Sequence, residues 1–272
     1  MHVAICQLNA GGDDLEANIA NAERLLGEAA DGGADLALLP ELFAYYGSQR
    51  RMRALAEPLG GPITSRVAAL ARDRSVWVLA GSICESADSR VYNTSFLFDR
   101  GGEAVARYRK IHLYDAELPG QRPIRESALF AGGDEVVTHN VEGLRLGLSI
   151  CYDLRFPELY RGLMTSGAVM LAVPSAFQAV TGAAHWETLL RARAIEEQSY
   201  VLAAAQWGPW GSPEAGHRTY GNAMIVDPWG EIVVRAPDEG DGVWFADVDA
   251  DAVRAVRTRL PALSHRRLGN AC

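Results

Sequence analysis

The sequence has few cysteines, and they are far apart. Only four occur in 272 residues, at positions 6, 84, 151 and 272, and no two form a CxxC pair. Disulfide scaffolds are much denser in cysteine, so this class of protein is excluded. The six histidines form no HExxH motif or other paired metal-binding spacing. We therefore expect no metal and no other cofactor, and a reducing, cytoplasmic location.

The sequence also lacks an excess of positive charge and long apolar runs. It has 26 Lys and Arg against 34 Asp and Glu, a formal net charge of −8. A nucleic-acid binder needs a basic surface to neutralise phosphates, so we expect no nucleic-acid partner. No apolar run approaches the roughly 18 residues of a membrane span, and the N-terminus lacks the basic region of a signal peptide. We therefore expect no membrane association.

Short apolar segments typical of buried strands alternate with helical patterns along most of the chain. The predicted strands include HVAICQL, ADLALLPE, VWVLAGSI, AVMLAVP and YVLAAAQ, and a long helix is predicted over residues 184–199. Three predicted hairpins, turned near residues 99–102, 142–143 and 228–230, interrupt the alternation and disfavour a purely parallel barrel. We predict one α/β domain over residues 1–272, in which helices cover a central mixed sheet.

Three polar residues follow predicted buried strands. Glu41 follows LALLP, Lys110 follows AVARYR, and Cys151 follows LRLGLSI. Ligands of open α/β sheets bind at the carboxyl ends of strands, where such side chains can meet. A carboxylate can take the thiol proton, the thiolate can attack a carbonyl carbon, and an ammonium can stabilise the oxyanion. The residue types form a complete hydrolytic set, although spacing alone does not show that they meet in space.

Cys151 has the most informative context of the four thiols. It lies between a predicted strand and a helix that opens with FPEL, where backbone N–H groups can form an oxyanion hole. Cys6 lies inside the first predicted strand, Cys84 just past a strand end, and Cys272 at the terminus. Only Cys151 therefore has a position typical of a nucleophile.

Several motifs, in order over nearly the whole chain, resemble those of the nitrilase superfamily of carbon–nitrogen hydrolases. They are LLPELF, YRKIHLYD, SICYDLRFPEL, VPSAFQAVTGAAHWETLLRARAIEEQSYVLAAAQ and VDPWGEIV. The resemblance implies that the family's Glu–Lys–Cys triad falls on Glu41, Lys110 and Cys151. It also implies that Glu126 holds the charge of the lysine and positions the substrate. The implied fold is an α-β-β-α sandwich with mixed sheets, usually paired across subunits, so we expect a homodimer or a higher homo-oligomer.

Within the superfamily, TGAAHWETLLRARAIE and AAAQWG resemble deaminated-glutathione amidases most, whereas CYDLRFPEL is shared with ω-amidases. This resemblance implies a cysteine-dependent amidase that hydrolyses a small linear, carboxylate-bearing amide through a thioester intermediate. Deaminated glutathione is the first substrate candidate. α-Ketoglutaramate and N-carbamoyl amino acids are the alternatives.

Three further residues are predicted to bind the substrate. Arg155 lies in a segment whose arginines bind the substrate carboxylate in N-carbamoyl amino-acid amidohydrolases, and the guanidinium fork suits both carboxylate oxygens. The backbone N–H of Tyr152 is expected to donate to the oxyanion, and Phe177 to line the acyl pocket. The alternatives are a surface salt bridge for Arg155 and simple packing for the two aromatic rings.

Other hypotheses have less support. A Cys–His dyad with His112 or His185 is disfavoured, because the resemblance gives the base role to Glu41. A catalytically silent binding protein of the same fold has no chemical need for the whole triad. A redox-active thiol needs a resolving cysteine, and none lies near Cys151 in the sequence.

Overall fold

The computed structural model describes residues 1–118 and 122–268, which form two large β-sheets, a two-stranded sheet, six α-helices and three short 3-10 helices. Cys272 lies outside the described residues. The helices are α1 (Leu15–Asp31), α2 (Gln49–Ala54), α3 (Pro62–Arg74), α4 (Pro157–Thr165), α5 (Ala179–Glu197) and α6 (Ala250–Arg259). Within the described ranges, none of these helices has the length and apolar character needed to cross a membrane.

The strands are β1 (His2–Leu8), β2 (Leu36–Leu38), β3 (Trp77–Leu79), β4 (Ile83–Ala87), β5 (Arg90–Phe98), β6 (Ala104–Arg109), β7 (Asp115–Ala116), β8 (Ile124–Arg125), β9 (Thr138–Val141), β10 (Leu144–Leu148), β11 (Met170–Ala172), β12 (Tyr200–Ala203), β13 (Ala205–Pro209), β14 (Arg218–Tyr220), β15 (Met224–Val226), β16 (Ile232–Arg235) and β17 (Gly242–Asp247). The first large sheet has the order β14-β13-β1-β2-β3-β5-β4, with β17 also paired to β1 and β6 to β5. The second has the order β16-β15-β12-β11-β10-β9, and β7 pairs only with β8.

Both large sheets are mixed, as predicted. Strands β13, β1, β2 and β3 run parallel in the first sheet, and β10, β11 and β12 run parallel in the second. The three predicted hairpins are confirmed as the antiparallel pairs β5–β6, β9–β10 and β15–β16. The parallel strands bring their carboxyl ends to one edge of each sheet.

Alternation along the strands divides the apolar residues between two cores. Val3 and Ile5 of β1 belong to a core shared with the second sheet, whereas Ala4 and Cys6 pack in a core with residues of α1 and α3. Successive strand residues point to opposite faces, so one strand serves both cores. Helices α4 and α5 contact the second sheet. The result is the expected α-β-β-α sandwich.

The structure corrects the prediction of one central sheet and of YVLAAAQ as a single strand. β12 pairs with β11 and β15 in the second sheet, and β13 then pairs with β1 in the first. The chain therefore crosses between the sheets at Ala204, which is fully buried. A continuous apolar run does not mark this crossing, because both sheets bury both faces of these strands.

Helix α5 begins five residues earlier than predicted. The predicted start lies after Gly182, a residue type that weakens a helix. In the structure, a Cβ at Gly182 would lie 2.4 Å from Cγ of Tyr220, so the glycine allows close packing of the helix on β14. Tertiary packing thus overrides the local propensity.

Candidate active site

The carboxyl ends of β2, β6 and β10 converge and bring the predicted catalytic residues together. Lys110 directly follows β6, and its Nζ donates to Glu41 Oε1 at 2.9 Å. Glu41 and Cys151 line the same pocket. The three residues that the sequence placed after separate strands are therefore neighbours in space.

Three donors hold the Glu41 carboxylate, which is only 2% exposed. Besides Lys110, Asn93 Nδ2 donates to Oε1 at 2.9 Å and the Ala176 backbone N–H donates to Oε2 at 2.8 Å. Gln206 Nε2 donates to the Glu41 backbone carbonyl at 2.7 Å. Asn93 and Gln206 were not singled out in the sequence, where their only signal is a polar residue within or directly after an apolar strand.

Lys110 is shared between two carboxylates. Its Nζ lies 3.0 and 2.8 Å from the two oxygens of Glu126, and the Tyr114 N–H donates to Glu126 Oε2 at 2.7 Å. Burial opposes the charge on Lys110, but Glu126 and Glu41 outweigh it and raise the Lys110 pKa well above its ordinary value. Burial also raises the pKa of Glu126, as does Glu41, whereas Lys110 opposes this shift. The cluster thus has one carboxylate more than it has cations.

Cys151 opens a 3-10 helix, Cys151–Arg155, between β10 and α4, as the sequence placed it. Its φ is 47°, a left-handed conformation that is uncommon for a non-glycine residue and that often marks functional sites. Burial raises the pKa of the thiol well above its ordinary value, and Glu41 raises it further against the effect of Lys110. A thiol with a raised pKa stays protonated at neutral pH, and the Glu41 carboxylate beside it can accept that proton.

A pocket of about 280 Å³, including its open mouth, lies over Cys151. Its lining residues are Glu41, Tyr46, Tyr114, Glu126, Cys151, Tyr152, Arg155, Ala176, Phe177, Gln178 and Thr181. All three predicted substrate-binding residues are therefore present in the wall. In residues 1–118 and 122–268, no three His, Cys, Asp or Glu side chains form a group that could hold a metal ion.

Arg155 faces this pocket over aromatic rings. Its Cζ lies 5.0 Å from the Phe177 ring centroid and 5.8 Å from that of Tyr152. Its Nη1 donates to His185 Nδ1 at 3.2 Å, and no ion pair within the described ranges involves Arg155. The surface salt bridge considered for Arg155 is thus not formed among these residues, and its charge is available to an anionic ligand.

His112 supports the turn that carries the thiol. Its backbone N–H and ring Nδ1 lie 3.1 and 2.8 Å from Asp153 Oδ1, and its ring stacks on Phe156 at 3.6 Å. The fully buried Asp153 also accepts from Tyr108 OH at 2.7 Å and from the Ile150 N–H at 2.9 Å. The sequence reasoning did not identify Asp153, whose carboxylate joins Ile150, the residue before Cys151, to Tyr108 and His112.

Comparisons with known proteins agree with this geometry. A family model described as carbon-nitrogen hydrolase matches residues 2–258. A curated relative, the deaminated glutathione amidase of Bos taurus, is 42% identical over 97% of this chain and 81% of its own length.

Two solved structures have the same fold. Saccharomyces cerevisiae Nit3, a member of branch 10 of the nitrilase superfamily, has a TM-score of 0.87 and 29% identity, with 98% of this chain and 97% of that chain covered. The amidase of Nesterenkonia sp. AN1, in a mutant form with acrylamide added to its active-site cysteine, has a TM-score of 0.79 and 28% identity, with 97% and 99% covered.

Proposed function

The chain belongs to the carbon–nitrogen hydrolase family, and we propose that it is a cysteine-dependent amidase acting on a small linear amide that carries a carboxylate. The observation that carries this proposal is the buried Glu41–Lys110–Glu126 network beside Cys151 in one pocket. Deaminated glutathione is the first substrate candidate, because curated relatives at about 42% identity are named for that activity.

The first step forms a bond from Cys151 Sγ to the amide carbon. Glu41 accepts the thiol proton, and the carbonyl oxygen becomes an oxyanion. The charge of Lys110 and the Tyr152 N–H stabilise this oxyanion. Within the described ranges no protein acceptor takes the Tyr152 N–H, which supports this role.

The second step breaks the carbon–nitrogen bond. Glu41 returns its proton to the leaving nitrogen, which departs as ammonia or an amine and leaves a thioester on Cys151. Glu41 then takes a proton from water, whose oxygen attacks the thioester carbon. As the carbon–sulfur bond breaks, Glu41 returns this proton to Cys151 Sγ. The products are a carboxylic acid and the free Cys151 thiol, so one water is consumed for each amide.

Substrate selection is assigned to Arg155 and the aromatic rings beside it. A guanidinium without a carboxylate partner, held over Phe177 and Tyr152, is suited to bind the far carboxylate of the acyl group. Phe177 is 4% exposed, and its ring centroid lies 5.0 Å from that of the buried Trp186, so the apolar wall of the pocket packs against a second aromatic ring.

The expected homodimer or higher homo-oligomer stays a proposal, as does the cytoplasmic location. The large apolar side chains that are about half exposed include Ile195 at 49%, Trp229 at 46% and Leu260 at 49%. Ile195 packs beside Gly230, the neighbour of Trp229, and Arg259 lies over the Trp229 ring at 4.8 Å. This apolar surface supports association with a second copy, and light scattering measures the assembled mass.

A screen of amide substrates tests the proposed activity. Ammonia or amine release is measured with deaminated glutathione, α-ketoglutaramate, succinamate and N-carbamoyl amino acids. We expect the highest kcat/KM for deaminated glutathione, which releases cysteinylglycine. A preference for N-carbamoyl amino acids would contradict the substrate assignment. Release from none of these compounds would contradict the amidase and favour a silent binding protein.

A further inference from the structure

Gln178 presents a buried oxygen without a partner to the catalytic pocket. The side chain is 3% exposed and lines the pocket. Its Nε2 donates to Tyr46 OH at 3.3 Å, while Oε1 has no hydrogen-bond partner in residues 1–118 and 122–268. Buried carbonyl oxygens in native proteins almost always accept a hydrogen bond, and an unsatisfied one destabilises its surroundings. A ligand that brings an N–H or O–H donor into the pocket can satisfy this oxygen.

Gln178 lies on the Glu41 side of the pocket. The Ala176 N–H, two residues earlier in the chain, donates to Glu41 Oε2 at 2.8 Å. Burial raises the pKa of Tyr46, the partner of Gln178, well above its ordinary value, and the charge of Glu41 adds to the shift. Tyr46 and Gln178 thus line the same pocket as the carboxylate that protonates the leaving nitrogen.

We propose that Gln178 Oε1 accepts a hydrogen bond from the N–H of the scissile amide, which makes the site selective for amides over esters of the same acid. This inference rests on the proposed amidase function. When this N–H points to Gln178, the lone pair that becomes localised on the nitrogen in the tetrahedral intermediate can point toward Glu41. Glu41 can then protonate the leaving nitrogen. An ester places an oxygen opposite Oε1, so two acceptors face each other without a proton between them.

Four other polar side chains in the pocket do not make this distinction. Arg155 is assigned to the carboxylate of the acyl group, which an amide and its matching ester share. The Tyr114 hydroxyl is also buried without a partner among the described residues, but a phenol can donate as well as accept. The carboxylates of Glu41 and Glu126 already accept hydrogen bonds from the protein. Gln178 Oε1 can only accept and is unpartnered, so it requires a hydrogen on the leaving atom.

Succinamate and monomethyl succinate test the proposal, because both give the same succinyl thioester on Cys151. The value of kcat/KM reports the steps up to and including acylation. In these steps the two substrates differ only in their leaving group. In Gln178→Met, a variant of similar shape without the amide group, we expect kcat/KM for succinamate to fall about tenfold. The value for the ester should stay within about twofold, so the amide-to-ester ratio falls about tenfold. Equal loss on both substrates would overturn the proposal.

Two further variants separate this role from packing. Gln178 precedes the first residue of α5, and Gln198 follows its last residue. Gln198 is 2% exposed and also has an Oε1 without a partner among the described residues, but it does not line the catalytic pocket. Gln198→Met should leave the amide-to-ester ratio unchanged, whereas Tyr46→Phe, which frees Gln178 Nε2, should lower the ratio about two- to threefold. A ratio that falls equally in Gln198→Met would contradict the proposal. A wild-type protein that cleaves neither substrate would instead contradict the amidase function itself.

Discussion

Arg109 and Lys110 are neighbours in sequence, yet they belong to two different charge clusters, each built around buried carboxylates. Arg109 contacts both oxygens of Glu85, at 2.8 and 3.0 Å, and Arg107 lies 3.4 Å from the same carboxylate. Lys110 contacts Glu41 and Glu126 instead. The first cluster has two cations for one carboxylate, and the second has two carboxylates for one cation.

This difference in charge balance separates a structural cluster from a reactive one. Burial opposes ionisation of Glu85, but hydrogen bonds from Arg109 and Thr94 outweigh it and lower its pKa. The pKa of Glu126 is raised, mainly by burial. A carboxylate with surplus cations stays ionised and holds the fold together. A cluster with a surplus carboxylate beside a protonated thiol can accept and return a proton, as amide hydrolysis requires.

The largest expected effect concerns the thiol beside the reactive cluster. Cys151 and Cys84 are both 8% exposed, and burial raises the pKa of Cys84 to about 12. Only Cys151 lies beside Glu41 in the catalytic pocket. We expect Cys151→Ala to lower kcat/KM at least about 10⁴-fold with an unchanged thermal midpoint. Cys84→Ala should keep kcat/KM within about threefold, and the reverse pattern would contradict the assignment.

Replacing the two neighbouring cations tests the comparison itself. Lys110→Met leaves two buried carboxylates without a cation, so we expect the free energy of unfolding to fall by about 3–5 kcal/mol. We also expect kcat/KM to fall at least about a thousandfold, because the charge beside the oxyanion is lost. Arg109→Met leaves Glu85 with Arg107, so we expect a loss of about 2 kcal/mol and kcat/KM within about threefold of wild type. Urea unfolding and amide turnover measure the two effects. Similar activity losses in both variants would break the comparison.

Arg155 extends the comparison to a cation with no carboxylate partner in the described ranges. Arg109 is neutralised within the fold, whereas Arg155 is assigned to the substrate. We expect Arg155→Gln to raise KM for succinamate about 30-fold, because charge-assisted hydrogen bonds to the carboxylate are lost. Turnover of neutral butyramide should change less than about threefold. An equal effect on both amides would indicate a role in packing rather than in carboxylate binding.

The smallest effect is the pH dependence of stability, which should have opposite signs in the two clusters. The lowered pKa of Glu85 stabilises the native state above the ordinary value of 4.5, and this contribution is lost as the pH falls through the lowered value. The destabilisation by Glu85→Gln should therefore shrink as the pH falls below 4.5. Glu126 has a raised pKa, so wild type should lose stability relative to Glu126→Gln as the pH rises from 4.5 through the raised value. Urea unfolding between about pH 2.5 and pH 8 measures both differences, and the same sign for both would contradict this account.

Much of the site could be predicted because strand ends and motifs are local features of the sequence. Glu41, Lys110 and Cys151 each follow a strand, and strands that run in parallel bring such positions to one edge. The helix-covered mixed sheets follow from the apolar runs and the hairpins. Their division into two sheets did not follow from composition or periodicity, since the apolar run YVLAAA continues from β12 into the start of β13 without a break.

The residues that sequence reasoning missed act through distant partners. Asn93 lies 52 positions from Glu41, and Gln206 lies 165 positions from it. A polar residue in an apolar strand shows that a partner is needed, but local pattern does not identify that partner. Asp153 is similar, because its contacts with Tyr108 and His112 form only when two strand ends meet.

The covalent intermediate on Cys151 is the central claim, and mass mapping of acid-quenched turnover with succinamate tests it most directly. The account predicts a succinyl group on the peptide that contains Cys151, present during turnover and lost once the substrate is consumed. The Cys84 peptide of the same sample should stay unmodified and serves as the internal control. Continued release of ammonia with no acyl group on Cys151, or with the acyl group on another residue, would contradict the account.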